Sequence, residues 1–178
     1  MLENVLPARM PKITALIHTH NDAERIARVL ESLRACDEVL VIDHGSSDDT
    51  ANIARDHGAT VKEGVPGVNP GVYAMDARHD WILCVLPTES VGEGLEASLF
   101  EWKRAERHRP NDKDKEEASA FAPVFSVHVR EETGNGWKEL PPETRLVNRR
   151  QINWPGHLPA PDPRAELLEG YLLRFGSP

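Results

Sequence analysis

Cysteine is nearly missing from this chain: two residues, Cys36 and Cys84, stand in a sequence of 178. That excludes the disulfide framework on which small secreted domains depend. Cys84 lies inside an apolar run, the ordinary place of a buried thiol, so neither cysteine is expected to act as a nucleophile. Long hydrophobic runs are missing too. No window approaches the roughly 20 apolar residues of a membrane-spanning helix, and a transmembrane segment is not expected. The opening MLENVLPARMPK has no apolar stretch behind its positive charges, nothing in it marks a secreted protein, and the expected location is cytoplasmic. Basic residues are in deficit, 21 against 29 acidic ones, for a net charge of −8. Such a field repels nucleic acid and anionic lipid, which excludes a nucleic-acid partner; a small polyanion could bind only where local donors offset it. What remains is a chain of ordinary composition, long enough for a single domain with a real core.

The apolar pattern alternates between strand-like and helix-like stretches. Ile13 to Ile17 (ITALI) reads as a strand buried on both faces. Asn21 and Glu24 have the spacing of a capping box, and Ala23, Ile26, Ala27, Leu30 and Leu33 follow at helical intervals, which predicts a first helix to about Arg34. Val39 to Asp43 is a second buried-type strand. His44-Gly45-Ser46-Ser47 breaks it and offers hydroxyls to cap a helix through Arg55, ending at Gly58. Ala59 to Glu63 gives a third strand. This alternation predicts an α/β fold with a parallel sheet and right-handed crossovers. Gly64 to Met75 should be loop and Trp81 to Leu86 another buried strand. Ser90 and Glu93 form a second capping box for a helix to about His108, with Leu95, Leu99 and Trp102 on one face. Arg109 to Ser119 is a charge-dense linker with almost nothing to bury. Beyond it, FAPVFSVHV alternates like a half-exposed strand. TRLVNRRQINW reads as two short strands around Arg149-Arg150, and Ala165 to Phe175 as a last amphipathic segment.

The span ITALIHTHNDAERIARVLESLRACDEVLVIDHGSSDDTANIARDHGATV resembles the opening half of family 2 glycosyltransferases of the GT-A fold. Their usual pattern is a strand ending P-T-Y-N-E, a helix, then V-V-D-x-G-S-x-D-x-T. Here the first motif stands as His18-Thr19-His20-Asn21 and the second, more specific one as Val41 to Thr50. With DWILCVL at Asp80 to Leu86, similarity covers Lys12 to about Val91 and is nearest the lipopolysaccharide-core glucosyltransferase branch. ETRLVNRRQINWPG carries a weaker likeness to the R-L-F-R-R segment before the acceptor site. The resemblance implies a GT-A-like three-layer sandwich with a mostly parallel sheet. Residues 12–91 would form the nucleotide-binding half, 109–119 a mobile linker and 120–178 a reduced, partly antiparallel acceptor-side half. It implies a UDP-type nucleotide-sugar donor and a hydroxyl acceptor on a glycan or lipid-linked carrier. Ligands of open parallel sheets bind beyond the carboxyl ends of the strands, and by position the nucleotide-binding residues would be His18, His20, Asp43, His44 and Glu89. His44 stands where the family often has a second acid.

Two family parts are absent. Relatives hold magnesium or manganese on the diphosphate with a D-x-D at the end of the fourth strand, and the cation neutralises the leaving group. In this chain Leu86-Pro87-Thr88 occupies those positions and only Glu89 survives, so no metal ligand is assigned and no cofactor is certain. The general base is unassigned as well: where the branch has H-E, this chain has His157-Leu158, and Glu131, Glu132 and Asp162 are the remaining carboxylates considered. No catalytic residue is named, which leaves a second reading, an inactive relative that binds a nucleotide, glycan or protein. His18-Thr19-His20-Asn21-Asp22 also has the H-x-H-x-D spacing of zinc hydrolases, since side chains two apart on a strand share a face. The next position of that pattern is Ala23 rather than histidine, and an acid at Asp22 simply complements a helix dipole. Asp43 to Thr50 can equally be a turn with Gly45 at its bend, Arg149-Arg150 an exposed hairpin turn, and Trp102, Trp137 and Trp154 either core or sugar platforms.

Overall fold

The computed structural model describes residues 10–107 and 123–176; the linker expected over 109–119 lies outside them. The elements run β1 (Ile13–Thr19), α1 (Ile26–Glu31), β2 (Glu38–Asp43), α2 (Thr50–Asp56), β3 (Thr60–Glu63), a 3₁₀ turn (Pro70–Asp76), β4 (Trp81–Cys84), β5 (Glu89–Val91), α3 (Glu93–Arg107), β6 (Val124–Thr133), β7 (Gly136–Asn148) and β8 (Glu166–Arg174). The strands join into one eight-stranded sheet in the order β3-β2-β1-β4-β7-β6-β8-β5. Pairing is parallel from β3 through β4 and between β6 and β8. Antiparallel pairs enter with the C-terminal strands, β4 with β7, β6 with β7 and β5 with β8.

The period of two along each strand sorts the core into two layers. Ile13, Ala15 and Ile17 of β1, Val41 of β2 and Leu83 of β4 face Ile26, Val29, Leu95, Leu99 and Trp102 of the helices. Leu16, Leu40, Ile42, Ile82 and Cys84 face the other way, onto Tyr73 and Ala74 of the 3₁₀ turn and onto Trp154. The second layer is therefore made by a 3₁₀ turn and irregular chain rather than by α-helices. Arg149 holds it down: its guanidinium donates to the carbonyls of Ala74, Met75 and Ala77 at 2.9, 3.1 and 2.7 Å. That replaces the exposed arginine turn expected at Arg149.

Other local expectations change as well, among them the cap at Ser46 or Ser47: α2 begins at Thr50 after Asp49. The first helix starts at Ile26, not after Asn21, because Asn21 takes a left-handed φ of 54° and its side chain binds the neighbouring loop. Ser90 caps no helix: it lies in β5, paired with Leu173 of β8. Part of the predicted loop 64–75 is the 3₁₀ turn, and the two short strands around Arg149-Arg150 are a single long β7 followed by a turn. β8 can pass beneath α3 because Gly170 has a φ of 89°, and a Cβ there would lie 2.0 Å from the Leu95 nitrogen. None of the described helices is long and apolar enough to cross a membrane.

Candidate nucleotide-binding site

The carboxyl ends of β1, β2 and β4 converge on a recess of about 390 Å³ lined by His18, Thr19, His20, Asp22, His44, Leu86, Pro87, Thr88 and His157. That size lies within the usual range of small-ligand sites, roughly 300–1,000 Å³. Strand register explains the histidines. His18 has the parity of Leu16, and His44 that of Leu40 and Ile42, so both face the 3₁₀ side of the sheet. Thr19 pairs with Asp43, and the His44 amide closes on the Thr19 carbonyl at 2.9 Å, which brings the imidazoles level. His18 Nδ1 and His44 Nε2 lie 2.9 Å apart. His157 arrives from the chain after β7 and sets its ring edge-on to His18, with centroids 4.9 Å apart. Gly64 makes room for the group: a Cβ there would come within 2.4 Å of His44 Nδ1.

The cluster contains no carboxylate. Burial, then the neighbouring imidazoles of His157 and His44, push the His18 pKa down to about 3, with the Pro70 backbone pulling weakly the other way. Burial and His157 lower His44 as well. His18 Nε2 is buried without a well-formed hydrogen bond, the Pro70 backbone being the polar group that acts on this ring.

The motif around Asp43 laces two loops together. Asp43 Oδ1 accepts from the Ser46 amide at 3.1 Å and from the Ser46 hydroxyl. Ser46 Oγ in turn accepts from the Asn21 amide at 2.9 Å, and Asn21 Oδ1 accepts from the Ser47 amide at 2.8 Å. Asp22 accepts from Thr19 Oγ1 at 2.7 Å, while its own amide donates to Thr50 Oγ1 at 2.8 Å. Asp48 takes the Ala23 amide at 3.1 Å and the Thr50 hydroxyl; these bonds, the one from Thr50 first, hold its carboxyl below the ordinary range. His20 leaves the strand and turns Nδ1 to the His44 carbonyl at 2.8 Å.

Of the residues expected to meet a nucleotide, His18, His20 and His44 line the recess together. Asp43 stands half-buried behind His44, organising the loop. Glu89 does not face the recess. It is fully buried beneath the Leu86–Thr88 turn, with Oε2 accepting from the Leu86 amide at 2.9 Å. Arg145, equally buried, grips it with two bonds of 2.8 and 2.7 Å, and Arg174 adds two of 3.1 and 2.9 Å. Burial works against the charge on Arg145, but the carboxylates of Glu89 and Glu143 outweigh it and keep its pKa above the ordinary arginine value. His157 was not expected as a site residue; its place in the H-E segment was the available signal. Trp102 and Trp154 are core, whereas Trp137 is exposed against Phe175. Burial pushes both cysteine thiols up to about 12, which removes them as nucleophiles near neutral pH.

The family model of glycosyl transferase family 2 matches residues 14–66. These residues carry the family 2 glycosyltransferase signature. An uncharacterized glycosyltransferase of Rickettsia felis is 40% identical over 94 residues, 51% of this chain and 33% of its own length. A second, from Rickettsia prowazekii, is 36% identical over 94 residues, 51% of this chain and 32% of its own. The chain thus spans about a third of the length of these curated relatives. The crystal structure of S. aureus TarS 1-349 in complex with UDP superposes with a TM-score of 0.61 at 17% identity, over 94% of this chain and 61% of that one. The GT-A-like α/β fold expected from the sequence is the fold found.

The divalent cation of the family does not fit its usual place. Leu86 and Pro87 offer no ligand atom on a side chain, Thr88 offers one hydroxyl, and the Glu89 carboxylate is already held by two arginines. A hard cation such as magnesium needs several oxygens there.

Proposed function

We propose that this chain is a nucleotide-sugar-binding unit of the family 2 glycosyltransferase type, acting in the cytoplasm. It would transfer a sugar from a UDP-type donor to a hydroxyl of a glycan or lipid-linked acceptor. The observation that carries this reading is the recess over the carboxyl ends of β1, β2 and β4, the place where sheets of this kind take their ligands. His18, His20 and His44 would contact the nucleotide, with Asp43 directly behind. Residues 12–91 act as the nucleotide half and 120–178 as the acceptor half. A larger hollow of about 680 Å³ shares Thr88 with the recess and is lined by Arg25, Arg28, Glu132 and Phe175, a suitable berth for an acceptor. Of the three carboxylates weighed as general base, Glu132 is the one that reaches a hollow next to the recess, whereas Asp162 is tied to Arg164 at 2.7 Å.

A second reading draws on the lost acids at Leu86-Pro87-Thr88 and the capture of Glu89 by Arg145: an inactive relative that binds a nucleotide or glycan without turnover. Calorimetric titration with UDP, GDP, dTDP and their sugar conjugates, followed by assay of free nucleotide released on long incubation, separates the two. Binding with release of UDP supports transfer. Binding without release supports an inactive nucleotide-binding module, and silence across all three nucleotides overturns transfer and nucleotide binding alike.

A further inference from the structure

Among the described residues, one group of side chains has the composition and spacing of a transition-metal site: His18, His44 and His157, whose ligand nitrogens all lie within 4.8 Å of one another. The three come from separate parts of the chain, the ends of β1 and β2 and the segment after β7. Two of them already meet, His18 Nδ1 and His44 Nε2 lying 2.9 Å apart across a shared hydrogen bond that a metal ion would replace. Two nitrogens on one tetrahedral zinc ion, at about 2.0–2.1 Å each, would stand roughly 3.3 Å apart. The change is a few tenths of an ångström, within reach of a small ring rotation. His157 closes the third side, its ring centroid 4.9 Å from that of His18 and 5.9 Å from that of His44.

We propose that His18, His44 and His157 form a three-nitrogen site for a divalent cation of the zinc class, with a fourth coordination position open to the recess. Three protein ligands and one open position is the arrangement of a reactive rather than a purely structural zinc. Neutral imidazoles select zinc, cobalt or nickel over magnesium, which prefers oxygen. The site differs from the H-x-H-x-D pattern legible along the strand: His20 is turned to the His44 carbonyl and Asp22 to Thr19, so neither takes part. It also differs in position and chemistry from the D-x-D that the chain lacks.

The test uses the untagged chain stripped with a chelator, in the absence of nucleotide, so its result is independent of whether the recess takes UDP. Zinc affinity is measured by competition with a chromogenic chelator, and cobalt is added to read the visible absorption of a tetrahedral nitrogen site. One equivalent of zinc should bind, magnesium should not compete, and cobalt should give tetrahedral bands. His157→Ala, at an exposed position that the fold tolerates, and His44→Ala should each weaken zinc by at least about 100-fold, since even loss of a supporting outer partner costs 10–100-fold. His20→Ala should leave it within about threefold of the parent. Failure of the parent chain to take up zinc, or equal affinity in parent and His157→Ala, overturns the proposal.

Discussion

Two polar regions lie on either side of the Leu86–Thr88 turn and solve opposite problems. Beneath it, Glu89 and Arg145 are wholly buried and saturated, each charge met by bidentate bonds, with Glu143 and Arg174 completing the group. Above it, His18, His44 and His157 are gathered with no carboxylate among them, the nearest acid, Asp43, standing behind His44. Pairs like the first are typically structural, because removing one partner strands the other. Groups like the second are costly to the fold and need a reason to persist. Glu89, which the resemblance set in the metal motif, is spent on the arginines of the sheet, and four imidazoles are among the side chains that line the recess.

Arg145→Ala should break the lower region most severely. It leaves Glu89 buried and uncompensated, for a loss of about 3–5 kcal/mol in denaturant unfolding; the paired change Arg145→Met with Glu89→Leu should recover much of it. Acid should break the upper region. With the folded His18 pKa near 3 against 6.5 unfolded, the unfolded chain binds the extra proton as pH falls below 6.5, so stability declines on acidification. In the metal-free protein the His18 share of that decline between pH 7 and pH 5 is about 2 kcal/mol, and His18→Leu should flatten the slope. An unchanged slope in that variant would remove His18 as its source. His44→Ala should weaken UDP about tenfold, roughly 1.4 kcal/mol, with little change in melting temperature. The smallest effect is expected of Gly64→Ala, whose new methyl crowds the His44 ring. A stability cost of about 1 kcal/mol and a few-fold loss of UDP affinity would place His44 in the binding surface, and unchanged affinity would exclude it.

The sequence made the first half of this fold legible because its signals are local. ITALI and VLVID are runs buried on both faces, and their parity alone sets His18 and His44 on one side of the sheet. The family pattern at Val41 to Thr50 was equally plain, although much of it laces two loops rather than touching the recess. Signals that depend on distant partners were not readable. Asn21 with Glu24 and Ser90 with Glu93 have the spacing of capping boxes, but Asn21 is taken by Ser47 and Ser90 by β8. Arg145, Arg174 and Glu89 are far apart in the chain, and nothing near Glu89 announces that two guanidiniums await it. His157 is silent in the sequence for the same reason: an imidazole becomes meaningful only beside two others.

The lacing of Asn21, Ser46, Ser47, Asp48 and Thr50 carries one further consequence. These side chains satisfy each other across the two loops before any guest arrives, so the rim of the recess is set in advance. A ligand entering it need not freeze those loops, and the entropy ordinarily spent on ordering a mobile rim is not subtracted from its affinity.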